Sequence, residues 1–369
     1  MPDGHDTQHS SVMSADAPDP PRALANSKGR RLDPRPLLAA AEPLLDFGRL
    51  AGLAGRSLVH PGELDRDLVV DLCLAGALLE SIDVRDLRPL DGRIAITAFF
   101  EASTRTRLSF ESAVQRLDGK VLSVPDGRVT GAAKGESLAD IGEMFNSYGD
   151  LLIMRHPETS SVDEIRESLT MPLINAGNGS GQHPTQALVD WFAILKWRPE
   201  LAAPEPAPEA RIHLGVVGTP GSMRSVKSFV WLATMFPAAV RRITIVSELA
   251  DPVGLDLQAA LERCPIPVEA TNDLQEVLGD LDVVYMNSIA FLGDSYRRLN
   301  SRHRIAASTA MRDDTVVMHP LARGDELDPD LDGTPHNLYF AQAAGAVFVR
   351  QALLTAVMGR IGVIADAVS

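Results

Sequence analysis

Short apolar runs alternate with stretches of helical periodicity along most of this chain, and that alternation restricts it to helices packed on parallel sheet. Residues 94–100, 151–154, 213–217, 243–246, 283–286 and 316–318 read as buried strands. Between and around them, 37–53, 68–79, 183–197 and 340–358 carry apolar residues at helical spacing. After the first strand Phe110, Ala113, Val114 and Leu117 fall at i, i+3, i+4 and i+7, so strand, turn and amphipathic helix follow one another directly. Pro199, Pro204, Pro206 and Pro208 interrupt the pattern and mark a domain boundary. The expected fold is α/β, with two doubly wound parallel-sheet domains bridged by helices. The first domain spans 36–200 and is completed by the C-terminal helix within 340–369; the second spans 209–339. Residues 1 to about 35 are polar and Pro-rich and read as a disordered tail.

Charge narrows the partners. Against 35 Lys and Arg stand 49 Asp and Glu, a net charge of −14 over 369 residues. Non-specific binding to nucleic acid or to an anionic membrane needs the opposite balance. Cys73 and Cys264 are too few for a disulfide framework or a Cys-rich metal site, and they suit a reducing cytoplasm. No uninterrupted apolar run reaches the ~18 residues expected of a spanning helix, and the N-terminus carries no apolar stretch of the signal-peptide kind.

The chemistry concentrates at strand ends. Ser103, Thr104, Arg105, Thr106 and Arg107 sit where a strand turns into a helix. A helix N-terminus offers free backbone N–H groups and partial positive charge, hydroxyls add donors, and guanidinium forks fit phosphate oxygens. Ser and Thr alone would be plain caps. Two arginines in a first turn oppose the helix dipole and call for an anion. Arg155 follows another strand, where α/β sheets place ligands. The segment from Asn175, Ala176 and Gly177 through Gln182 reads as a glycine loop, leading to His183 and Gln186 at the head of the next helix. There the dipole lowers the imidazole pKa and keeps a neutral donor able to polarise a carbonyl. His319, Pro320 and Leu321 follow a later strand, their carbonyls free to face a cleft.

Residues 99–111, 134–140, 154–157, 182–188, 332–340 and 348–354 together resemble the aspartate carbamoyltransferase branch of the aspartate/ornithine carbamoyltransferase superfamily. The similarity runs from about Arg56 to the C-terminus. It implies transfer of the carbamoyl group of carbamoyl phosphate to an amine, with no metal or cofactor. By this resemblance Ser103, Thr104, Arg105 and Thr106 hold the phosphate. Thr106, Arg155 and His183 contact the carbonyl oxygen. Gln186 and the backbone at Pro320 and Leu321 receive the carbamoyl NH2. The loop of Thr130 and Lys134, in isolation a surface turn, enters a neighbouring subunit's site in the family and implies a homotrimer; Lys134 would then also reach the acceptor. Arg224 matches the position that binds the acceptor's α-carboxylate.

The likeness breaks where the family reads the aspartate side chain. An Arg and a Gln two residues apart are replaced by Ser288 and Ala290, and a serine supplies no bidentate cation. The expectation is therefore a carbamoyltransferase for an amine other than L-aspartate, for example in ureido-group formation in antibiotic biosynthesis. Arg297 or Arg298 could replace the missing cation. The alternatives are an aspartate carbamoyltransferase of pyrimidine biosynthesis and a non-catalytic binder of a phosphate metabolite. Gly215, Gly218 and Gly221 with Glu248 give a weak dinucleotide-like signal, in the spacing Gly-x-x-Gly-x-x-Gly.

Overall fold

The computed structural model describes residues 32–287, 289–292, 295–298 and 303–368, the two strands within 289–298 by their backbone alone. In the first domain β1 (Ile94–Phe99), β2 (Lys120–Val124), β3 (Leu151–His156) and β4 (Leu173–Asn178) form a parallel sheet ordered β2-β1-β3-β4. The helices of this half are α1 (Arg35–Ala41), α2 (Phe47–Ala51), α3 (Arg66–Ser81), α4 (Thr104–Arg116), α5 (Leu138–Asn146), α6 (Ser161–Arg166) and α7 (Pro184–Trp197). The second half begins with β5 (Ile212–Val217), β6 (Val240–Val246), β7 (Val268–Thr271) and β8 (Val283–Met286), interleaved with α8 (Arg224–Ala233), α9 (Leu255–Arg263) and α10 (Leu274–Val277). An antiparallel hairpin, β9 (Ile289–Leu292) and β10 (Ser295–Arg298), precedes β11 (Val316–Met318), and the parallel sheet runs β11-β8-β5-β6-β7. The helices α11 (Tyr339–Val357) and α12 (Ile361–Val368) end the chain. Two parallel α/β domains are present, as the alternation of apolar runs requires.

Several local expectations change. The apolar stretch 37–53 is not one helix: Pro43 interrupts it, and α1, a 3-10 turn and α2 result. Asn175, Ala176 and Gly177 lie inside β4 rather than in a loop; this strand is buried on both faces and lacks the alternation that would announce it. Arg155 is the penultimate residue of β3, not a loop residue beyond it. Most of the expected tail, residues 1–31, lies outside the described residues. Leu32 already belongs to the core, and its carbonyl accepts from Lys196 Nζ at 3.5 Å. The Pro-rich boundary is no slack linker, because Leu201 and Ala202 are fully buried.

One apolar core crosses the domain boundary. Trp191 on α7 stacks on Phe236 at 4.0 Å between ring centroids, and Phe229 on α8 stacks on Tyr285 of β8 at 4.2 Å. Helix α11 starts beside β11, where Val317 bridges Asn337, and its body packs on α3, α7 and α4 of the first domain. By length and apolarity α11 is also long enough to cross a membrane, although no uninterrupted apolar run announced it; 83% of its most apolar window is buried inside the fold. Its close approach to α3 depends on Gly76, where a Cβ would lie 3.1 Å from Val349 Cα. We expect Gly76→Val to overpack this contact and cost about 1–3 kcal/mol, read as a lower urea midpoint. An unchanged midpoint would mean that the two helices separate freely.

Candidate active site

Three helices begin at one cavity. Ser103, His183 and Met223 are the N-caps of α4, α7 and α8, none makes a side-chain capping bond, and none of the three first turns contains an acidic residue. Their unsatisfied N–H groups and aligned dipoles make the enclosed space attractive to an anion. The cavity measures ≈ 640 Å³. From the first domain it is lined by Ser103, Thr104, Arg105, Thr106, Arg155, His183 and Gln186, and from the second by Arg224. Pro320 and Leu321 close one wall.

Strand register explains the convergence. Phe99 pairs with Arg155 across β1 and β3, so the Ser103 turn and the Arg155 side chain leave the sheet at the same edge. A register shift after Met154 accompanies the departure of β4 toward the His183 turn. Gly177, at φ +116°, admits Arg224: a Cβ there would lie 3.0 Å from Arg224 Nε. His183 N–H donates to Ser228 Oγ at 2.8 Å, and Ser228 Oγ donates to Gln182 Oε1 at 2.7 Å, fastening the head of α7 to α8.

The cations are not equivalent. Arg155 Nη2 donates to Glu101 Oε1 at 2.8 Å, and Arg224 grips both oxygens of the same carboxylate at 2.7 and 2.8 Å. Glu101 therefore joins an arginine from each domain. Arg350 is buried, lies over the Phe110 ring at 4.5 Å and donates to Ser109 Oγ; burial pulls its pKa down to about 9. Arg107 does not face the anion site with Arg105, as the sequence suggested, but turns to Glu111 at 3.1 Å and Ser123 Oγ at 3.2 Å. Arg105 remains. Among the described residues its side chain has no carboxylate or hydrogen-bond partner, and desolvation alone lowers its pKa.

His183 is buried, and its pKa lies well below the ordinary imidazole value. Burial is the main cause, followed by repulsion from Arg155, Arg224 and Arg350, so solvent exclusion and neighbouring charge hold the ring neutral. His319 holds the Pro320 turn: Leu321 N–H donates to its Nδ1 at 2.8 Å, so Nε2 carries the proton and donates to Glu326 Oε1 at 2.9 Å.

Beneath the cavity lies Asp190, fully buried on α7. Its Oδ1 accepts from Gln186 Nε2 at 2.7 Å and from Gln342 Nε2 at 2.5 Å, and its Oδ2 accepts from Tyr285 Oη at 2.9 Å. Burial pushes the carboxyl up to about 7, against these three bonds and the charge of Arg350.

Not every candidate reaches the cavity. Thr130 and Lys134 lie on an excursion of 3-10 turns, Lys134 exposed, and neither lines it. Ser288 lies outside the described residues, as do the side chains of Ala290, Arg297 and Arg298; β9 and β10 pair Ala290 with Arg297 and Ile289 with Arg298 along the hairpin backbone. Gly215 is consumed by packing, since Leu281 Cδ1 stands 2.2 Å from where its Cβ would be, and so serves no phosphate loop. Glu101, Asn287, Gln342 and Arg350 line the site without having been assigned to it. Glu101 and Arg350 lie within the segments 99–111 and 348–354 that carry the resemblance, and Asp190, beneath the site, stands four residues after Gln186 on one helix face.

Residues 56–196 match the family model of the aspartate/ornithine carbamoyltransferase carbamoyl-P binding domain, and residues 210–357 match that of the Asp/Orn binding domain. The aspartate carbamoyltransferase catalytic subunit of Methanopyrus kandleri is 35% identical, over 84% of this chain and 99% of that protein. That of Thermoplasma volcanium is 36% identical, over 83% and 99%. Among solved structures, aspartate transcarbamoylase from Trypanosoma cruzi with carbamoyl aspartate and phosphate superposes with a TM-score of 0.73 at 32% identity, over 84% of this chain and 98% of that one. The same enzyme with carbamoyl phosphate and aspartate gives 0.73 at 31%, over 84% and 97%.

Proposed function

Because the chain belongs to the aspartate/ornithine carbamoyltransferase family, we propose that its cavity binds carbamoyl phosphate and passes the carbamoyl group to the amino group of an amino acid, L-aspartate foremost. The observation that carries this reading is that Arg105, Arg155 and His183 share one cavity with Arg224 from the opposite domain. A doubly charged phosphate fits the three helix N-termini and Arg105. The carbamoyl oxygen meets Thr106, Arg155 and His183, where charge grows as the amine adds to carbon. The carbamoyl NH2 faces Gln186 and the carbonyls at Pro320 and Leu321, and Arg224 takes the acceptor's carboxylate. Holding both partners in one enclosed space supplies much of the acceleration through orientation. Thr130 and Lys134 belong, in this reading, to a neighbouring copy's cavity in a homotrimer, and the two free thiols suit a cytoplasmic protein.

L-Aspartate stands first because the relatives are aspartate carbamoyltransferases, which reverses the order expected from the sequence. A second reading keeps its own observation: Ser288 and Ala290 in place of an Arg and a Gln favour an acceptor without a side-chain carboxylate. Purified protein incubated with carbamoyl phosphate and a panel of amines separates the readings, with mass spectrometry following ureido products. Aspartate, ornithine, 2,3-diaminopropionate and related peptides form the panel. Preferred N-carbamoyl-aspartate formation establishes the first reading. Preferred transfer to another amine establishes the second, and loss of carbamoyl phosphate without transfer to any amine defeats both.

A further inference from the structure

We propose that Asp190 is the positioning residue that makes the cavity choose an NH2 group over a methyl group at the reacting carbon, by turning the Gln186 side chain so that its acceptor faces the ligand and by anchoring, through Gln342, the backbone turn whose carbonyls face it. The inference rests on the carbamoyl phosphate reading above and names the source of its selectivity.

The argument begins with an amide whose direction is forced. His319 backbone N–H donates to Gln342 at 3.0 Å, and a backbone N–H can only donate, so that atom is Oε1 and the other is Nε2. Gln342 Nε2 therefore presents a donor to Asp190 Oδ1. The same oxygen takes Gln186 Nε2, which leaves Gln186 Oε1 as the acceptor for the cavity that Gln186 lines. One buried oxygen thus sets the polarity of Gln186 directly and holds the His319–Leu321 turn in place through Gln342. A ligand NH2 would find acceptors on both walls, whereas a methyl group of the same size would leave them unpaired, which is costly in an enclosed site. Tyr285 hydroxyl, bonded to Oδ2, can donate to a carboxylate or accept from a carboxylic acid, so Oδ1 stays an acceptor in either state. The charged or titratable groups that face this carboxylate are Tyr285 from β8 and Arg350 from α11.

Acetyl phosphate tests this, since it replaces the NH2 of carbamoyl phosphate by CH3 and keeps the phosphate. We expect wild-type protein to bind carbamoyl phosphate more tightly than acetyl phosphate. Asp190→Leu should shrink that ratio at least tenfold while inorganic phosphate affinity changes less than twofold, and Asp190→Asn, which retains an oxygen for both glutamines, should restore most of the ratio. An unchanged ratio in Asp190→Leu overturns the proposal, as does an equal loss of phosphate binding, which marks a merely structural role. Should Asp190→Leu fail to fold, Gln186→Glu decides. A glutamate there needs a shared proton to bond Asp190, so its carbamoyl-over-acetyl ratio should fall at least tenfold as pH rises from 5.5 to about 8 while that of wild type stays flat. A flat profile in Gln186→Glu overturns the proposal. Wild-type protein that fails to prefer carbamoyl phosphate, or to transfer from it, brings down the underlying reading itself.

Discussion

Arg105→Ala should lower kcat/KM for carbamoyl phosphate by about 10³-fold, within the range for truncating one partner of a charge-assisted pair. Arg155 and Arg224 already share Glu101, and Arg350 rests on Ser109 and Phe110. Arg105 stands apart from them: its side chain is exposed to the cavity, and among the described residues nothing balances its charge. Such a group makes no ion pair whose removal would lower stability. The same variant should accordingly melt no lower than wild type, which separates a binding role from a structural one. Arg105→Lys retains the charge without the planar fork and should recover only part of the loss. Initial rates at varied carbamoyl phosphate provide the measurement. A drop of less than tenfold would assign the phosphate to the helix N-termini alone.

His183→Ala should reduce kcat by about 10²–10³-fold, as removal of a preorganised donor to a developing oxyanion does. The neutral ring also sets a pH signature. Burial and three arginines keep the folded-state pKa well below 6.5, so the unfolded chain takes up the proton first as pH falls. His183 therefore contributes stability that is intact above about 6.5 and is lost as pH falls toward its depressed value. Across pH 6–7 the wild-type kcat should show no limb from this residue. A protonation step near 6.5 that vanishes in His183→Ala would contradict the neutral-donor role.

The architecture was legible because parallel strands are continuous apolar runs and because helix heads carry hydroxyls, and both are local signals. Two of the residues that converge from the first domain followed from where strands end, Ser103 after β1 and Arg155 at the end of β3, whereas His183 followed from the head of α7. Strand β4 itself was hidden, since Asn175 and Gly177 read as turn residues until the side-chain amide of Asn175 is seen bonded to Val59 O and Asn178 Oδ1. Arg107 misled for a physical reason: two residues beyond Arg105 it leaves the opposite side of α4, where Glu111 at i+4 pairs with it. Gln342 and Tyr285 were out of reach, because their distance of 152 and 95 residues from Asp190 leaves no local trace.

The placement of α11 bears on how this molecule is made. The first sheet is translated before the second, yet the helix that covers α3 and α4 is made only after both. Until then the nascent amino-terminal half displays an uncovered greasy flank, inviting chaperones and proteases. A premature stop before Tyr339 would consequently damage the half already synthesised more than the half it interrupts.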